Sequence, residues 1–396
     1  MKPSLTLMLA GILLMTAGCG KKRVTWSDPS LPESAEGVEI ATPTAILVSG
    51  AQSEEPSVRA RALALLIQSA SAADDDGYAT RALWDPDAWV QAQAVSALAQ
   101  RLDEAAAVAL LEGFVARSDG LADPYARGAA AGYLARAGHS GTQAALTKAW
   151  RAERAAWRKA PLQLGAFQMG DQSALEPLAI AIENGNIGLE TAFLLDVGRT
   201  GNPRLAAALK TGEDWIEEEV VLAYATARIL IGDDTGAKLL EDALNGDDPM
   251  AALEALDYLV DLEGDRATTL IKKARNGGTD LARAYAEMAL AARGATGADL
   301  FDEMMLSQDP ETRALAVQLA VRAMLIDDAP RKNTRIAKRV LQTSLGDESL
   351  EVRLAALKAA ARAGVLTQGL PVTPHLADEL LAVRIEAAGA VLAGPG

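Results

Sequence analysis

Aromatic side chains are scarce in this chain, 4% of 396 residues, although half of all residues are hydrophobic. A core of bulky rings is excluded, and burial must come from Ala, Leu, Val and Ile. There is one cysteine, so no disulfide can form within the chain, and neither CxxC nor a Cys/His zinc spacing exists. The two histidines, His139 and His375, lie far apart and lack sequence neighbours that would complete a triad or a metal set. His139-Ser140 is not part of a Gly-x-Ser-x-Gly elbow and reads as a loop. No phosphate-cradling glycine motif occurs. Positive charge is also short: 38 Lys and Arg face 53 Asp and Glu, for a formal charge of −15. Nucleic-acid binding depends on basic side chains displacing counterions, so that class is excluded. The acidic balance instead favours solubility and a neutral or basic protein partner. Acidic clusters at Asp74 to Asp76, Asp233-Asp234, Asp247-Asp248 and Asp327-Asp328 lack the order of a calcium loop and read as helix caps and turns. From these residues no catalytic, cofactor or metal site is expected.

Long hydrophobic runs are missing too. The stretch Leu5 to Met15, behind Lys2, is about half of the ~20 residues a spanning helix needs, and has the form of a secretory signal. It ends in Thr16-Ala17-Gly18-Cys19, which resembles the lipobox of bacterial lipoproteins. The resemblance implies cleavage before Cys19, a diacylglyceryl group on its sulfur, and, with Gly20 in place of Asp, the outer membrane facing the periplasm. Ordinary signal cleavage, leaving a free thiol, is the alternative. Each buried methylene contributes ~0.8 kcal/mol, so two or three acyl chains anchor a protein durably. Residues 19–42, with Lys21, Lys22 and Arg23, have little apolar periodicity and read as a flexible tether with a reach of about 25 Å.

What is abundant is alanine, roughly one residue in five, the strongest helix former. A short motif returns along the chain: Pro or Asp, any residue, a small or β-branched residue, usually Arg, then Ala three places on. It stands at Pro56-Ser57-Val58-Arg59 with Ala62, Pro124-Tyr125-Ala126-Arg127 with Ala130, and Pro310-Glu311-Thr312-Arg313 with Ala316. Further copies begin at Asp280, Leu350 and Leu381, and degenerate ones at Pro86, Pro161 and Pro249, with Trp89, Leu164 and Ala252 at the Arg place. The spacing is roughly 32 residues, a supersecondary period. Each copy reads as a helix start, with Pro in the first turn and an apolar stripe at helical spacing. Ala marks a close helix approach. Gly138, Gly170, Gly198, Gly232, Gly294 and Gly364 are expected C-terminal caps. A second amphipathic run, such as Val108 to Leu111 or Ala237 to Leu240, completes a helical hairpin. No motif is visible between about 185 and 245.

A hairpin of this size cannot bury its apolar face alone, so the expected fold is all-α, an α-solenoid of about eleven stacked hairpins over 43–396. The Asp-Pro, Val-Arg and Ala-rich pattern resembles the bacterial HEAT repeats also found in bilin lyases. It implies that the repeated Arg pairs with loop acids and that the motif helices line the concave side. The functional expectation is a non-catalytic, lipid-anchored scaffold of the bacterial cell envelope that holds another protein. The alternatives are a bilin-lyase-like enzyme and a peptide- or glycan-binding accessory factor. Trp89 and Trp84 are the candidate partner contacts, since Trp is enriched at interface hot spots.

Overall fold

The computed structural model describes residues 41–70, 77–185, 190–246, 248–262, 264–277, 280–295, 300–325, 331–364 and 369–393. Cys19 and the tether up to residue 40, Asp74 to Asp76, Asp247 and Asp327-Asp328 lie outside the described residues. Among the described residues every regular element is a helix. In order these are α1 (Pro43–Gly50), α2 (Pro56–Ser69), α3 (Tyr78–Leu83), α4 (Ala88–Ala99), α5 (Ala105–Val115), α6 (Pro124–Arg136), α7 (Gln143–Ala152) and α8 (Ala156–Gln168). There follow α9 (Leu175–Glu183), α10 (Thr191–Arg199), α11 (Pro203–Thr211), α12 (Val221–Leu230), α13 (Thr235–Asn245), α14 (Pro249–Asp261) and α15 (Asp265–Gly277). The last are α16 (Asp280–Ala292), α17 (Leu300–Met304), α18 (Pro310–Leu325), α19 (Arg331–Leu345), α20 (Leu350–Ala363) and α21 (Leu381–Ala393). Even-numbered helices and α21 form an inner layer, and odd-numbered ones up to α19 an outer layer.

The motif marks the inner helices. Pro56, Pro124 and Pro310 open α2, α6 and α18, and Asp123 accepts the Ala126 amide as an N-cap. The repeat alanines Ala62, Ala130, Ala286, Ala316, Ala356 and Ala387 are all fully buried. A methyl group lets neighbouring inner helices come close, and the cluster of Ala, Leu and Val between the layers is continuous along the chain. Four expected caps have one geometry: Gly138, Gly170, Gly232 and Gly294 have positive φ, and the next residue's amide donates to a carbonyl five residues back, as His139 does to Leu134 at 2.8 Å.

Three expectations need correction. Pro161 does not begin a helix but lies inside α8, whose N-cap is Ala155; Glu153 accepts the Arg154 and Ala155 amides in the turn that leads into it. The Pro161 carbonyl is met directly by Gly128 of α6, which has no Cβ to obstruct it. Gly198 lies within α10 against Ala227, and the positive φ belongs to Gly201. The stretch without a motif is nevertheless regular: α10 and α12 are inner helices like the rest, and α12 enters through short 3-10 turns instead of through proline.

The solenoid closes. Helix α21 packs on both α1 and α2, so the first and last hairpins are neighbours. At this seam Arg61 of α2 donates to both carboxylate oxygens of Glu386 at 2.8 and 2.6 Å, and Leu65 sits against Gly389. Contacts between successive inner helices advance together along both chains, as Gly128 on Pro161 and Gly132 on Gln168 do, so these helices run parallel around a lumen. All loops entering inner helices therefore share one rim, and all loops leaving them share the other.

Candidate functional site

The repeated arginines hold the entry rim together. Arg59, Arg313, Arg353 and Arg384 each donate from Nη1 to the carbonyl six residues earlier, at 2.7–2.9 Å. Arg59 and Arg313 also grip a carboxylate of the next unit, Asp85 and Asp347, at 2.8–3.0 Å. Hydrogen bonding from Arg313 holds the Asp347 carboxyl below its usual range. In α4 this place is taken by Gln91, not Trp89. Gln91 Nε2 donates to the Asp85 carbonyl, again six residues back, at 2.7 Å, and Oε1 accepts the Asp123 amide at 2.7 Å. A second arginine set went unread in the sequence. Arg101, Arg117 and Arg293 cap the C-terminal carbonyls of Ile67, Leu83 and Leu259 in the preceding units. The only available signal was an Arg about one repeat beyond each helix end, where the unpaired carbonyls attract a cation.

The entry rim carries exposed apolar tips among acids. Trp84, Leu121, Trp157, Trp215 and Leu306 are between 47% and 80% exposed, and each precedes or opens an inner helix. Ile180, on outer helix α9, is the other large exposed hydrophobic among the described residues. The tryptophans are held in place. The Arg117 guanidinium lies 4.6 Å from the Trp84 ring centre, Arg158 lies 5.3 Å from that of Trp157, and Trp215 Nε1 donates to the Glu183 carbonyl at 3.2 Å. The same loops supply Asp87, Asp119, Glu153, Glu213 and Asp309. Trp150 is different: it is buried and donates to Asp171.

Trp89 is partly buried and faces the lumen, on the wall of a cavity of about 880 Å³ at the seam. Helices α2, α4, α18, α20 and α21 line it. Val58, Leu350, Leu354 and Ile385 give it apolar walls, and Arg61, Arg322, Lys358 and Arg362 reach it from one end. Arg61 is neutralised by Glu386, and Arg322 by Asp257 and Asp261 of α14 at 3.2 and 3.5 Å. Lys358 and Arg362 have no ion pair or side-chain hydrogen bond among the described residues. Arg362 is exposed on the lumen side, but the protein atoms crowded around it and repulsion from Arg61 and Arg322 draw its guanidinium down to about 10 against the attraction of Glu386 and Asp261. At the other end burial, with Glu311 and Asp309 nearby, pushes the Glu351 carboxyl up. Neither histidine is near this wall in sequence or packing: His139 closes the α6 cap, and His375 lies in a 3-10 turn where burial lowers its imidazole. Among the described residues no group of three or more His, Cys, Asp or Glu could hold a metal.

No family model matches this chain, and no curated protein matches it. Among solved structures, the crystal structure of an engineered protein from a structural genomics consortium is similar over 89% of this chain and 98% of its own, with 17% identity and a TM-score of 0.29.

Proposed function

We propose that the chain is a lipid-anchored, non-catalytic scaffold of the bacterial cell envelope, whose HEAT-like hairpins hold a basic protein partner on the entry rim. The observation that carries this reading is the gathering of Trp84, Leu121, Trp157, Trp215 and Leu306 on one rim, interleaved with carboxylates. Pre-positioned aromatic tips with an acidic surround suit a partner that brings apolar pockets and Lys or Arg. Closure of the solenoid turns the inner helices toward a narrow lumen, so a folded partner meets the rim and not the concave wall. Cys19 supplies the membrane attachment, and no described helix is long and apolar enough to cross a bilayer.

A photo-crosslinking residue at 84 or 306, introduced in cells, should capture the same envelope protein, while one at 180 on the outer layer should not. Trp84→Ala should weaken that complex about tenfold or more, and added salt should weaken it further. Equal capture from all three positions would overturn the rim as the binding face. The anchor is tested separately, since Cys19→Ser should abolish fatty-acid labelling and release the protein from membranes.

A further inference from the structure

The seam cavity combines three features that the fold itself does not require. Its walls are apolar, from Val58 and Trp89 on one side to Leu354 and Ile385 on the other. One end holds two exposed cations with no direct ion pair among the described residues, Lys358 and Arg362, placed one turn apart on the same face of α20. The opposite end is acidic, with Glu351 inside the lining. From Glu351 to Arg362 the helix rises about 16 Å. Both cations are exposed and open to an incoming anion, and the carboxylates nearest Arg362, those of Glu386 and Asp261, already pair with Arg61 and Arg322. The simpler explanation is that Arg362, in the last turn of α20, complements the helix dipole. That accounts for neither Lys358, a full turn earlier, nor the crowding of Arg362 against Arg61 and Arg322, which works against a structural cation at this place.

We infer that the seam cavity binds a single-chain amphipathic anion, one carboxylate or phosphate head on an apolar chain, with the head on Arg362 and Lys358 and the chain lying toward Trp89 and Leu350. The volume of about 880 Å³ is within the range of small-molecule sites. The acidic far end disfavours a second anionic group, which restricts the ligand to one charged head. Because α2 and α4 supply one wall and α18, α20 and α21 the other, the ligand bridges the two ends of the chain. This site is separate from the entry rim and needs no partner protein, so either proposal can fail alone.

The test uses the full chain carrying Cys19→Ser, which can be handled without detergent. Dodecanoate, kept below its micelle concentration, is titrated in a calorimeter beside dodecyl phosphate, dodecylamine, acetate and inorganic phosphate. The expected result is saturable binding of dodecanoate and dodecyl phosphate at one per chain, with dodecylamine and both small anions at least a hundredfold weaker. Arg362→Gln should weaken dodecanoate tenfold or more, and Arg362→Lys should restore most of the affinity. The Gln variant should melt no lower than the parent, because it relieves repulsion among three arginines. If it does not fold, Lys358→Gln gives the same readout from the more open side of the lining. Dodecylamine binding as tightly as dodecanoate, many ligands per chain, or unchanged affinity in the folded Gln variant would overturn the proposal. Inorganic phosphate alone binding as tightly would replace it with a simple anion site.

Discussion

Asp171 shows how much a single loop carboxylate can organise. It accepts hydrogen bonds from Thr147 at 2.6 Å, Trp150 at 3.2 Å and the Ser173 hydroxyl at 2.6 Å, tying α7 to the entry of α9. Desolvation alone would raise its pKa, but the hydrogen bonds from Ser173, Thr147 and Trp150 outweigh it and hold the group at about 2. A folded pKa below the unfolded value of 3.8 contributes stability that is complete above about pH 4 and lost as pH falls toward 2. Asp171→Asn should therefore lower the melting temperature at pH 7, and the gap to the parent should shrink to little by pH 2. A constant gap across that window would contradict the charge-based account. Gly128 is a second sensitive residue, because a Cβ there would run into the Pro161 carbonyl. Gly128→Val should destabilise by about 1–3 kcal/mol in a denaturant titration, the usual cost of overpacking.

At the scale of elements, much of the chain was legible because one helix start repeats. Proline at the first position, arginine at the fourth and alanine three places later predict α2, α6 and α18 directly. Pro161 misled because the turn before it, not the proline, sets the start of α8, with Glu153 ordering that turn through the Arg154 and Ala155 amides. The misplacement of Trp89 at the arginine position has the same origin: Pro86 lies two residues before α4, so counting from it shifts the register, and Gln91 performs the arginine's task. Gln91 stitches two loops together, through Asp85 in one and Leu121 and Asp123 in the other. Gln91→Leu leaves those buried backbone groups without a partner and should cost about 1–3 kcal/mol. Hydrogen exchange should accelerate first at the Asp123 amide; exchange that speeds up uniformly along the chain would mean that Gln91 is ordinary core. The rim tryptophans could be picked out as rare aromatics, but Lys358 and Arg362 could not. Within α20 they look like ordinary helix-surface bases. Only the meeting of α2 with α21, across more than 300 residues, puts Arg61 beside Arg362, and no local pattern encodes that.

For the whole molecule the seam decides shape and cooperativity. Stacked repeats in an open array have two exposed ends that need polar capping units. Here the end faces cover each other, with Ile385 against Gly50 and Leu65 against Gly389. Gly389→Leu places a side chain where Leu65 already lies and should open the joint. Small-angle scattering would then show a larger radius of gyration and a maximum dimension approaching that of an arc, with helix content almost unchanged. An unaltered profile would mean that the ring tolerates a misfit at its joint. Closure also makes the position of the chain ends almost arbitrary. Residue 393 leaves an inner helix on the exit rim, and residue 43 begins an outer helix on the same rim against the same neighbour, so a short linker can join them. A circularly permuted chain, cut instead in an exit-rim turn such as the one at Gly138, would contain every native interface and lose only one connection. In evolutionary terms, such a ring could be rewritten to begin at any hairpin, which frees the chain ends, and whatever is fused to them, to move around the circumference while the rim and the lumen stay as they are.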